Sequence, residues 1–156
     1  MLYLFEYDTL ILLNAVKTFE KVEKIESTFK YPLYGKKAKT VFLLHYKTLK
    51  DNWLPPAHQE LFEKIILSGF NYTLDKVVAY NVQEVIQNED IHFIEKPDII
   101  FYMDNKLLDT VEKWITKQGI EHNLVRYLPS LTQMIENQKF KQQAWKEIKD
   151  YRDMKK

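Results

Sequence analysis

Thr40-Val41-Phe42-Leu43-Leu44-His45-Tyr46 is the stretch whose reading decides the fold. It has the length of a strand and is apolar almost throughout. A strand with one wet face alternates between polar and apolar residues. A continuous run suits the centre of a parallel sheet covered by helices on both sides. Ahead of it, residues 28–38 hold Pro32 and Gly35 among basic residues and read as a loop. Behind it, a loop with Pro55-Pro56 leads into a helix from about Ala57 to Gly69. Leu61, Phe62, Ile65 and Ile66 form the stripe of that helix, and Gly69 is its stop. Lys76 to Asn81 is a second strand, followed by a short helix over Val82 to Gln87. Asp98 to Met103 is a third strand, introduced by Pro97. Leu107, Leu108, Val111, Trp114 and Ile115 mark a helix that ends at Gly119, and Ile120 to Tyr127 is a fourth strand.

The rest of the chain completes this alternation. From Tyr127 to Tyr151 the sequence breaks at Pro129 and opens a helix with Ser130 at the N-cap. A second start signal stands at Asn137, and Trp145 is expected to anchor the final helix to the sheet. At the other end, Leu12, Ala15, Val16, Phe19, Val22 and Ile25 predict a helix over residues 7–25. The order predicts a three-layer α/β/α domain with a mostly parallel four-stranded sheet over residues 38–156. An N-terminal helical and docking segment over residues 1–37 is expected ahead of it.

Composition excludes several classes. With 156 residues, 46% hydrophobic and 29% charged, the chain is an ordinary globular one. It has no cysteine, so disulfides and thiolate metal sites are ruled out. The apolar start is broken by Glu6 and Asp8 and followed by no small-residue cleavage site, so it is read as neither a signal peptide nor a membrane span. A cytoplasmic location is the expectation. The formal net charge of +1 hides an uneven distribution. Residues 17–50 and 139–156 are basic, while residues 51–138 are acidic. Lys36, Lys37 and Lys39 are the candidate nucleic-acid contacts in the first basic stretch, with a solvated lysine-rich surface as the plainer reading.

Chemistry-bearing patterns are sparse. None of Gly35, Gly69 and Gly119 sits in a strand-to-helix turn, so no phosphate-binding loop is present. His45, His58, His92 and His122 show no spacing that brings two onto one metal. No metal and no cofactor are expected. Asp104, after the third strand, stands where a catalytic carboxylate can sit, but with no partner visible it reads as a loop or N-cap residue. His45 reads as a hydrogen-bonded structural histidine. Ser68 lacks a nucleophile-elbow context. The nine Phe, ten Tyr and three Trp mostly follow helix or strand periodicity and are assigned to the core.

Leu128-Pro129-Ser130-Leu131-Thr132, then Ile135, Asn137, Lys141, Ala144-Trp145 and Ile148 to Tyr151, resemble the end of the psi subunit of bacterial DNA polymerase III. In that family a proline-small-Leu-Thr turn opens a helix, a break containing Asn follows, and an Ala/Leu-Trp pair lies in the last helix. Leu61 to Leu67, Leu74-Asp75, Val77-Val78 and Asn81 extend the resemblance over roughly residues 38 to 151. It implies a non-catalytic member of the clamp-loader assembly with a reduced uracil-DNA glycosylase-like fold. Its partners would be the clamp-loader subunits and a chi-like subunit, which links the complex to single-stranded-DNA-binding protein. DNA contact would be indirect or weak. Leu2, Tyr3, Leu4 and Phe5 would be the partner-docking peptide.

The same likeness supplies the rival reading, a degenerate glycosylase-like nucleic-acid-binding domain. Active enzymes of that superfamily use a Gly-Gln-Asp-Pro-type loop after the first strand and a His-Pro-Ser-Pro-type loop before the last helix. Here the first loop reads His45-Tyr46-Lys47-Thr48-Leu49-Lys50, with no aspartate before Asp51. The second reads Tyr127-Leu128-Pro129-Ser130-Leu131, with no histidine. No catalytic residue is expected, because neither water activation nor charge stabilisation beside a flipped base has an agent.

Overall fold

A computed structural model describes residues 28–29, 32–49, 54–93, 95–104 and 106–155. The expected helix over residues 7–25, the docking residues Leu2, Tyr3, Leu4 and Phe5, and Asp51 lie outside the described residues. Strands β1 (Thr40–Leu44), β2 (Val77–Asn81), β3 (Ile99–Tyr102) and β4 (Val125–Tyr127) form one sheet in the order β2-β1-β3-β4. Every pairing is parallel. Successive strand residues point to opposite faces, and both faces are buried. Phe42, Leu44, Val77, Ala79, Ile99 and Phe101 face one core, and Val41, Leu43, Val78, Tyr80, Ile100 and Tyr102 face the other.

Helix α1 (Pro56–Lys64), α4 (Leu131–Glu136) and α5 (Gln138–Lys155) cover the first face. Helix α2 (Gln83–Gln87) and α3 (Leu108–Lys117) cover the second. The expected three layers are therefore present. Pro56 opens α1 at a position where a missing N–H costs nothing. The helix runs on as a wider π turn over Ile65–Gly69, which buries the adjacent Ile65 and Ile66 together. Gly119 ends α3 with φ +74°. Its N–H donates to Thr116 and that of Ile120 to Ile115, a Schellman closure. No helix among the described residues is long and apolar enough to cross a membrane.

Two expectations change, and the core also reaches ahead of position 38, where Phe29 and Leu33 are buried. Phe29 stacks on Tyr80 with ring centroids 4.4 Å apart, and the Leu33 N–H donates to Ala79. The fourth strand begins at Val125, not Ile120, since the exposed Glu121, His122 and Asn123 have no apolar side to bury and His122–Leu124 forms a 3-10 turn. Trp145 does not anchor α5 to the sheet. Ala144, Ile148 and Tyr151 do so at three- and four-residue spacing, which leaves Trp145 a quarter-turn away and 37% exposed.

Candidate functional site

The strand order fixes where a site can form. Strand β1 leads into a helix on the first face and its neighbour β3 into a helix on the second, so the chain parts between their carboxyl ends. Ligands of open α/β sheets bind at such a crevice. Leu43 pairs with Tyr102, and continuing that parallel register by two residues sets His45 against Asp104. Their side chains meet, His45 Nδ1 lying 3.3 Å from Asp104 Oδ2. Both side chains are nine-tenths buried, and Asp104 is the one charged residue among the buried positions described. The two residues that the sequence leaves without partners are thus partners of each other.

Both ends of this pair are held. On the β2 side, the Gln83 Oε1 lies 2.9 Å from His45 Nε2, so both ring nitrogens are engaged by the protein's own groups. Asp104 Oδ1 accepts from the Lys106 N–H at 3.3 Å. Asn81 ties the neighbouring loops together. Its Oδ1 accepts from the N–H groups of Tyr46 and Gln83, and its Nδ2 donates to the Tyr46 carbonyl. Tyr46 and His58 form a second polar contact, Oη to Nδ1 at 2.6 Å. Burial raises the Tyr46 pKa far above the ordinary tyrosine value and lowers that of His58, so the phenol keeps its proton and donates to a neutral imidazole.

A cleft of about 370 Å³ opens beside the pair, bounded by Asp104, Leu108, Glu112, Tyr127, Pro129 and Gln133 among others. Tyr127 donates to Glu112 across its rim at 3.0 Å, and burial together with that carboxylate pushes the phenol up to about 12. Tyr102, whose ring meets that of Tyr127 edge-on with centroids 6.3 Å apart, has a buried hydroxyl. Its pKa is raised by burial and by the Asp104 charge. Among the described residues no group of three or more His, Asp or Glu is arranged to hold a metal ion.

Lys36, Lys37 and Lys39 lie elsewhere. They are exposed and precede β1 at the amino end of the sheet, opposite the crevice, and Lys37 pairs with Glu95 at 2.9 Å. Ser130, in the loop after β4, spends its hydroxyl on the Gln133 N–H. Asn81 and Gln83 are the site residues that the sequence does not single out. The signal was there, since Asn81 ends β2 and Gln83 opens the helix after it. Comparison with protein-family models finds no match to the chain, and comparison with curated proteins finds none.

Proposed function

We propose that this chain is a non-catalytic protein-interaction subunit of the replicative DNA polymerase III clamp-loader assembly, psi-like, acting in the cytoplasm. It would join the clamp loader to a chi-like partner linked to single-stranded-DNA-binding protein. One observation carries the reading: the polar groups at the carboxyl end of the sheet are committed to one another. His45 sits between Asp104 and Gln83, Tyr46 donates to His58, and Ser130 caps a helix. Such groups hold loops in place, which suits a surface for a protein partner. The residues behind the psi resemblance also have defined places, with Leu131, Ala144, Ile148 and Tyr151 all buried in the first core. The docking peptide would be Leu2, Tyr3, Leu4 and Phe5, with a second surface on the α/β domain.

Affinity purification of the tagged chain tests this. Clamp-loader subunits should co-purify with the wild type and be lost with the Leu4→Asp/Phe5→Asp variant. Their absence from the wild type, or their retention by the variant, counts against the proposal. The alternative, a degenerate glycosylase-like domain that lodges a base in the crevice, is favoured by one fact. The buried His45–Asp104 pair stands at the switch point beside an open cleft. Titration with a uracil-containing oligonucleotide at low salt, comparing wild type with Asp104→Asn, separates the two. Equal binding by both proteins, or none, removes the alternative.

A further inference from the structure

The last helix has a side that the core does not use. Its buried line runs through Ala144, Ile148 and Tyr151. A quarter-turn round, at three- and four-residue steps, lie Lys141, Trp145, Lys149 and Arg152, with Gln138 and Gln142 on the same side. That side carries no carboxylate until Asp153 at its far end, and Glu147 and Asp150 are turned away from it. Among the described residues, Lys141 and Lys149 make no ion pair. Arg152 is steadied by donating to the Gly69 carbonyl at 3.1 Å.

Trp145 is held in place on this stripe. A Cβ added at Gly69 would come within 2.8 Å of the Trp145 ring, so the missing side chain is what lets the indole rest on the main chain there. The remainder of the ring faces solvent, 37% of the residue being exposed. A partly open indole resting on Gly69 between cations combines the two elements that grip a single strand without reading its sequence. These are a face for a base to stack on and positive charge for the phosphates.

We infer that this side of α5 binds single-stranded nucleic acid, Trp145 stacking on a base while Lys141, Lys149 and Arg152 contact phosphates. Lys141 and Lys149 are separated along the helix by roughly 12 Å, with Trp145 midway. A short run of nucleotides, with one base on the indole and phosphates on either side of it, therefore spans the stripe. An acidic peptide would satisfy the cations and leave the indole idle. The stripe lies on the surface of the first layer, on a different element from the Lys36–Lys39 segment, and it does not depend on either reading of the crevice.

Fluorescence anisotropy of a labelled oligothymidylate with the full chain at low salt is the test. Wild type should bind, and its affinity should fall linearly on a log–log plot against salt. Lys141→Ala/Lys149→Ala should weaken binding and reduce that slope by about 1.4, at about 0.7 for each phosphate no longer neutralised. Trp145→Ala should lose roughly tenfold, with Trp145→Phe retaining most of the affinity. Gly69→Ala, which displaces the ring, should behave like Trp145→Ala. Circular dichroism confirms that each variant is folded, and the lysine variants, altered only on the surface, keep the test valid if a Trp145 or Gly69 variant unfolds. Lys113→Ala/Lys117→Ala, on the exposed side of α3 in the opposite layer, serves as the control that leaves binding unchanged. No binding by wild type, or binding indifferent to the lysine pair, overturns the inference. So does equal affinity for a polyglutamate peptide, which would assign the stripe to an acidic protein.

Discussion

Two histidines at the crevice illustrate what a single residue does here. The Tyr46 hydroxyl donates to His58 Nδ1 at 2.6 Å, which requires a neutral ring, and burial lowers the His58 pKa from its ordinary 6.5. The unfolded chain therefore takes up this proton more readily than the folded one. The His58 contribution to stability is complete above pH 6.5 and is lost as pH falls from there through the lowered folded value. Tyr46→Phe should cost about 1 kcal/mol at pH 7.5 and should make the decline below pH 6.5 shallower. Urea unfolding at several pH values measures both, and an unchanged acid-side slope would sink the argument. His45 shows the limit of reading residues singly. Its position at the end of β1 and that of Asp104 at the end of β3 were both legible in the sequence. Their pairing was not, because it depends on β1 lying next to β3, and nothing local to either strand encodes that adjacency.

At the scale of elements, the C-terminal turn and helices follow local rules closely. Ser130 accepts from the Gln133 N–H while the Gln133 side chain accepts from the Ser130 N–H, a complete capping box. Asn137 then closes α4 in extended conformation and accepts from the Lys139 N–H, so one residue stops a helix and starts the next. Both features were legible because capping chemistry lies within four residues in sequence. The role of Trp145 was not, since its rest is Gly69, far away in the chain, and the glycine looked only like a helix stop. Ser130→Ala should destabilise the protein by about 1 kcal/mol, and Ser130→Asp, which keeps the acceptor, should restore most of the loss. If thermal or urea unfolding finds the two variants equally weakened, the hydroxyl's capping bond is not what holds this turn.

Across the whole molecule, the apolar run from Thr40 to Leu44 feeds two cores at once. Phe42 meets Phe62, Phe70 and Phe101 on one face, with centroids 5.0 to 5.7 Å apart, while Val41 and Leu43 join Trp114 and Ile115 on the other. Continuous burial is why the layering was legible from the apolar run itself, and the strand order, set by packing between distant segments, had to come from the structure. A shared sheet has a thermodynamic consequence. Neither helical layer can leave while the other stays, because each strand would then expose half its side chains to water. Phe62, fully buried against Phe42 and Tyr34, belongs to the first layer, whereas Trp114, whose Nε1 donates to the Ile91 carbonyl at 2.8 Å, reports on the second. Phe62→Ala should cost about 3–5 kcal/mol. In a background carrying Trp53→Phe and Trp145→Phe, the Trp114 fluorescence midpoint in urea should fall together with the far-ultraviolet dichroism midpoint. A Trp114 transition that stayed at the wild-type midpoint while dichroism shifted would mean that the layers unfold separately and that the central strand does not couple them.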